Sequence, residues 1–126
     1  MRTGIDVTQR FEYSFPDDVD PKTVYVIKPL TASERFDMGQ YVTVGADGKP
    51  TMKLTGEVAL NSFLVVIDEI RNFSIKKSDG VETIALAKDR ADIKRIFASM
   101  DSNDIALIFQ EALRVSTLTK GLAKNS

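Results

Sequence analysis

The sequence predicts an α+β fold, with strands mainly in residues 1–30 and helices from residue 31 onward. Apolar and polar residues alternate near the N-terminus, as they do in half-buried strands. In later stretches apolar residues recur every three or four positions, which is typical of one face of a helix. A second alternating stretch, residues 73–86, surrounds an Asp-Gly pair and predicts a β-hairpin between helices.

Two strands are predicted before residue 30. In QRFEYSFPDD the aromatic residues Phe11, Tyr13 and Phe15 alternate with polar ones, until a proline and acidic residues end the pattern. TVYVIKP, residues 23–29, is rich in β-branched and aromatic residues. Because only a short acidic loop separates the two strands, we expect them to pair.

A helix is predicted next, in LTASERFDMGQYV. Thr31 and Glu34 have the spacing of a capping box, in which each side chain accepts a hydrogen bond from the backbone of the other. Gly39 weakens this helix by up to about 1 kcal/mol. GADGKP then predicts a turn, and TMKLT predicts a short strand.

The longest predicted helix spans residues 57–73, EVALNSFLVVIDEIRNF. Its core stripe consists of apolar residues at helical spacing: Leu60, Phe63, Leu64, Ile67 and Ile70. The hairpin of residues 73–86 follows. We interpret it as a connector rather than an active site, because it has no general base, no nucleophile with a partner and no phosphate-binding glycines.

Two more helices complete the predicted domain. DRADIKRIFASM begins at the capping residue Asp89, and SNDIALIFQEALRVSTL, residues 102–118, begins after Asp101 or Ser102. Their core stripes are Ile93, Ile96, Phe97 and Met100 in the first, and Ile105, Ile108, Phe109 and Ala112 in the second. The polar tail, residues 119–126, is predicted to fray. Residues 1–126 therefore form one predicted domain.

The composition excludes several classes of function. The chain has no cysteine and no histidine, which rules out disulfides, zinc sites built on cysteine, and Ser-His-Asp or Cys-His catalysis within it. A net charge of −1 is unlike that of a nucleic-acid-binding domain. No apolar run approaches transmembrane length. We expect a cytoplasmic protein that is not an enzyme, needs no cofactor or metal, and binds neither nucleic acid nor membrane.

The remaining polar clusters have simple interpretations. DDVD, residues 17–20, is predicted to be a solvated turn rather than a cation site, because it lacks the glycine and distant glutamate of a Ca²⁺ loop. Lys88, Arg90, Lys94 and Arg95 are interleaved with acidic residues, which favours an exposed face with salt bridges. Four apolar residues lie off the core stripes and are the candidate partner-binding residues: Val58, Val65, Leu107 and Leu118.

Three stretches resemble the tail assembly chaperones of long-tailed, siphovirus-type bacteriophages. KPLTASER, Lys28 to Arg35, is similar to the strand and Leu-Thr/Ser-acidic opening of that family. IRNFSIKKSDGVETI resembles its mid-chain helix leading into a hairpin, with Phe73 where the family often has tryptophan. LIFQEALRVSTLTKGLAKNS resembles its last helix and C-terminal finish. The resemblance covers residues 22–126 and leaves out the first strand.

The resemblance implies a protein without enzymatic activity that acts in the cytoplasm of the infected bacterium. Such chaperones bind the tape measure protein, a long helical chain that sets tail length, and keep it soluble. They help to recruit tail tube protein, act as oligomers, and leave before the tail matures. The expected mode of recognition is a helix bound in a groove or against another helix.

Two other classes remain open at the level of sequence. One is a structural virion protein at the head–tail junction or a tail terminator, which would stay in purified particles. The other is a small metal-dependent hydrolase using carboxylates, which would hold an ion through several protein oxygens.

Overall fold

The structure, a computed structural model, describes residues 1, 3–39, 42–44, 46–48, 50–52 and 55–125. For some of these it describes the backbone alone: residues 38, 39, 42–44, 50–52 and 117–125. The helices are α1 (Ala32–Gly39), α2 (Gly56–Val66), α3 (Arg90–Ser99) and α4 (Ser102–Asn125). The strands are β1 (Phe11–Tyr13), β2 (Val24–Ile27), β3 (Val42–Val44), β4 (Pro50–Met52), β5 (Ile67–Lys77) and β6 (Gly80–Ala87). The predicted α+β class is confirmed.

The main sheet is antiparallel and has the strand order β1-β2-β5-β6. The predicted pairing of the first two strands is confirmed, with Glu12 opposite Val26. Between β2 and β5 the chain forms α1, the separate β3–β4 hairpin and α2 before it returns to the sheet. The strand β3 was not predicted.

The hydrophobic core lies between this sheet and the helices α2, α3 and α4. Phe63 of α2 is fully buried, and the centroid of its ring lies 5.1 Å from that of Phe97 and 6.4 Å from that of Phe109. The strands contribute Tyr25, Ile27 and Ile70, each at most 3% exposed. The predicted core residues of the last two helices all belong to this core or pack against it.

The prediction of one helix over residues 57–73 is wrong in its second half. The helix α2 ends at Val66, and the next residue begins β5, the longest strand of the sheet. The predicted stripe residues Ile67 and Ile70 are buried as expected, at 3% and 0% exposure, but on a strand. The stretch that resembles the end of the chaperone helix, Ile70–Phe73, is therefore part of a strand and not of a helix.

Two irregularities of β5 explain why this strand has the residue spacing of a helix. In a regular strand, residues three apart face opposite sides of the sheet. Glu69 pairs with Val26 and Ile67 pairs with Ile27, so Asp68 is an extra, bulged residue. Asn72 has a φ of 58°, in the left-handed region. As a result Ile67, Ile70 and Phe73 all face or pack against the core.

The helix starts follow the predicted capping chemistry. The Thr31 N–H donates to Glu34 at 2.9 Å and the Glu34 N–H donates to the Thr31 hydroxyl at 3.2 Å, which confirms the capping box. Asp89 caps α3, and Asp101 accepts from the Asn103 N–H at the start of α4. The tail predicted to fray from residue 119 is helical to Asn125, and no proline lies in α4 to interrupt it.

The hairpin of β5 and β6 is confirmed, with Ser78 and Asp79 as its two loop residues. Lys77 pairs with Gly80, whose φ of 145° is a conformation that side-chain-bearing residues rarely adopt. Glu82 of β6 accepts hydrogen bonds from Arg95 of α3 and forms an ion pair with Lys77, both at 2.7 Å. The contact with Arg95 joins the hairpin to α3, and the contact with Lys77 joins the two strands of the hairpin.

The pairing of Glu82 predicts a loss of stability in acid. Hydrogen bonds from Arg95 and then Lys77 lower the pKa of Glu82 from 4.5 to about 2. Ionised Glu82 therefore stabilises the folded state above pH 4.5, and this contribution is lost as the pH falls towards 2. We expect Glu82→Gln to show a smaller loss of stability over that range than the parent, measured by urea unfolding at each pH.

The matched control is Glu57→Gln, which removes an exposed glutamate from the first turn of α2. An acid dependence in Glu82→Gln as steep as that of the parent would show that other carboxylates are responsible.

Candidate functional site

Of the four predicted partner-binding residues, the structure describes the side chains of three, and only one of these three is exposed. Leu107 is 42% exposed, in agreement with the prediction. Val58 and Val65 are half-buried, and Val65 packs against the core, so their predicted exposure is wrong. The helix α2 contacts α3, α4 and β5, and these neighbours cover positions that would be open on a helix with one buried face. The side chain of Leu118 lies outside the described residues.

The structure instead contains an apolar groove between the start of α2, the end of α3 and the start of α4. Its volume is about 300 Å³. The lining consists mostly of small or apolar residues: Gly56, Ala59, Phe97, Ser102, Ile105, Ala106 and Phe109. Phe109 is 1% exposed and forms the floor. No atom of the described residues lies within 4 Å of the position that a Cβ atom would take at Gly56, so the groove is open at this end.

The shape of this groove fits the recognition of another polypeptide. Ala59 and Ala106 stand on two different helices, and their small side chains leave room for a partner to approach the backbone. The volume is at the lower end of the range of about 300–1,000 Å³ for ligand pockets. It therefore suits the anchoring side chains of an amphipathic helix better than a large cofactor.

The groove was not predicted from the sequence, because the predicted partner-binding residues are larger apolar residues off the core stripes, whereas two walls of the groove are alanines. The sequence feature that indicates the groove is an alanine next to a core-stripe residue in each of two helices. Ala59 precedes the stripe residue Leu60, and Ala106 follows Ile105. An alanine at the edge of a stripe leaves a gap that a leucine would fill.

The four basic residues near α3 are exposed, as predicted, and two of them, Lys88 and Arg95, form ion pairs. Arg95 bonds to Glu82 at 2.7 Å, and Lys88 lies 4.0 Å from Glu69. The partners come from the hairpin rather than from the acidic residues interleaved in the sequence, because Asp89 is used as the helix cap.

The acidic turn is exposed at Asp17, Val19 and Asp20, as predicted, whereas Asp18 is half-buried. Asp18 accepts hydrogen bonds from the backbone N–H groups of Val19 and Thr23, both at 2.9 Å. Within the described ranges of the chain, no group of three acidic residues is arranged to hold a metal ion. In the same part of the chain, no helix is both long enough and apolar enough to cross a membrane.

Comparisons of the chain with protein families, with curated proteins and with solved structures find no match.

Proposed function

We propose that this protein is a non-enzymatic tail assembly chaperone of a long-tailed bacteriophage. It binds the helical tape measure protein and keeps it soluble in the cytoplasm of the infected bacterium while the tail is built. The observation that carries the proposal is the apolar groove between α2, α3 and α4. Binding of tail tube protein and self-association belong to the same proposal.

The groove provides what a chaperone for helical chains needs. A long helical protein that has not yet assembled exposes apolar side chains, which drive aggregation. A groove with an aromatic floor at Phe109 and small walls at Ala59 and Ala106 can cover such side chains while the polar face of the bound helix stays in water. Coverage of this kind requires no catalytic group.

The test is co-expression with the tape measure protein of the same phage. We expect the parent protein to keep the tape measure protein in the soluble fraction. Ala106→Glu should abolish this effect, because it places a charge and a larger side chain in the groove. The matched control is Val81→Glu, since Val81 is 66% exposed on the hairpin, away from the groove.

Two results would contradict the proposal in different ways. If the parent protein leaves the tape measure protein insoluble, the chaperone function is wrong. If Ala106→Glu, folded by circular dichroism, solubilises it as well as the parent does, the function stands but the groove is not the binding site. Retention of the protein in purified virions would favour the structural role instead.

A further inference from the structure

The main sheet ends on one side in a long strand whose outer edge is open. Strand β6 spans 8 residues, Gly80–Ala87, and pairs with β5 alone. Among the described residues, no backbone hydrogen bond joins another segment to its outer side. Such an edge is a row of N–H and C=O groups that can pair with a strand of another chain. The opposite edge strand, β1, has only 3 residues.

The strand β6 lacks the features that usually prevent pairing at a sheet edge. Lysine and proline are common protective residues in edge strands, and GVETIALA contains neither. Its charged residue, Glu82, is neutralised within the same chain by Arg95 and Lys77. Two apolar side chains near the ends of the strand are exposed, Val81 at 66% and Leu86 at 48%. No uncompensated charge on β6 therefore opposes the approach of a second strand.

The pairing with β5 determines which residues of β6 can bond outward. Lys77 and Gly80 pair across the two-residue loop of the hairpin. In an antiparallel sheet, successive residues of a strand direct their N–H and C=O groups alternately to one neighbour and to the other. Counted from Gly80, which bonds to β5, the outward groups belong to Val81, Thr83 and Ala85.

We propose that β6 pairs with β6 of a second copy of this chain, in an antiparallel dimer whose two-fold axis passes through the Thr83 pair. In this register each Thr83 faces the other, and Val81 faces Ala85 of the second copy. Leu86 faces Gly80, where the missing side chain leaves room for the leucine. Cross-strand threonine pairs of this kind stabilise antiparallel sheets.

The two ends of β6 carry complementary charges in this arrangement. Asp79 precedes the strand and Lys88 follows it, so the two-fold axis brings Asp79 of one copy beside Lys88 of the other. Asp79 belongs to none of the ion pairs among the described residues. Lys88 is 66% exposed and lies 4.0 Å from Glu69, so it is free to turn towards a second copy. This symmetry favours a second copy over an unrelated strand.

The dimer specifies the self-association included in the proposed function, and it rests on that function for its biological role. No residue of β6 lines the apolar groove, so the two surfaces are separate. Dimerisation can therefore be measured on the protein alone. Its failure would leave solubilisation of the tape measure protein untouched, and a failure of solubilisation would leave the dimer untouched.

The test is sedimentation equilibrium of the full chain over a range of concentrations, combined with hydrogen exchange. We expect a monomer–dimer equilibrium, with slower exchange of the Thr83 amide as the concentration rises. Thr83→Pro removes the outward N–H and should weaken dimerisation about tenfold or more. The matched control Thr83→Val keeps this N–H and should dimerise within about threefold of the parent. Circular dichroism checks that both variants are folded.

A charge swap tests the register without altering the backbone. Lys88→Asp places like charges side by side and should weaken dimerisation about threefold or more, and the addition of Asp79→Lys should restore it. Ala106→Glu, which alters the groove, should dimerise as the parent does.

Four results would overturn the proposal. They are a parent that stays monomeric at every concentration, a folded Thr83→Pro that dimerises as tightly as Thr83→Val, a charge swap that restores nothing, and loss of the dimer in Ala106→Glu. The last result would identify the groove as the interface. If Thr83→Pro does not fold, the charge swap and the exchange of the Thr83 amide decide the question.

Discussion

Replacement of Phe109 by alanine is expected to lower the free energy of unfolding by about 3–5 kcal/mol. Phe109 is 1% exposed, packs edge to face against Phe63, and forms the floor of the apolar groove. A domain of ordinary stability has only about 5–15 kcal/mol in total, so the variant should unfold at a much lower urea concentration. Urea titration followed by circular dichroism measures the change.

The control for this substitution is Phe36→Ala, which removes the same side chain from α1. Phe36 is 81% exposed, so its loss should change the stability by less than about 0.5 kcal/mol. Similar effects of the two substitutions would contradict the assignment of Phe109 to the core. If Phe109→Ala stays folded under native conditions, it should also bind the tape measure protein less well, because the floor of the groove is missing.

The parts of the fold that depend on neighbouring residues could be predicted from the sequence. The capping box at Thr31, the cap at Asp89 and the stripe through Ile93 and Ile96 each depend on side chains within one or two helical turns. The turn at Gly80 is equally local, because it depends on a backbone conformation that glycine adopts easily.

The boundary between α2 and β5 could not be predicted from spacing alone. Ile67 and Ile70 are three residues apart, which fits a helix, and only the bulge at Asp68 lets a strand bury both. That bulge is defined by pairing with β2, which is some forty residues earlier in the chain. Local periodicity carries no information about such a distant partner.

The same limit applies to the candidate site. The groove depends on how α2 and α4 pack, which leaves Ala59 and Ala106 as its walls. These residues are far apart in the sequence, so no local pattern predicts that they line one groove.

Ser116→Ala is expected to destabilise the domain by about 1–3 kcal/mol, although it removes a single oxygen atom. Ser116 is fully buried, at 0% exposure, in a core whose other described residues are hydrophobic. Its hydroxyl donates to the Ala112 carbonyl at 2.6 Å and accepts from the Leu30 N–H at 2.9 Å. Without this oxygen, the Leu30 N–H is buried with no acceptor, whereas the Ala112 carbonyl lies within a helix.

The position of this hydrogen bond explains the size of the expected effect. The Ser116 hydroxyl joins α4 to Leu30, which lies between β2 and α1. Arg35 of α1 reinforces this contact by donating to the carbonyls of Leu30 and Ser116, at 3.3 and 3.5 Å. Ser99→Ala is the matched control, because among the described residues the Ser99 hydroxyl bonds only to the Ile96 carbonyl of its own helix. Hydrogen exchange at the Leu30 amide gives a direct measurement: we expect faster exchange in Ser116→Ala than in Ser99→Ala. If Leu30 stays equally protected and the stability is unchanged, the Leu30 N–H has another acceptor, and α4 is held to the sheet by apolar packing alone.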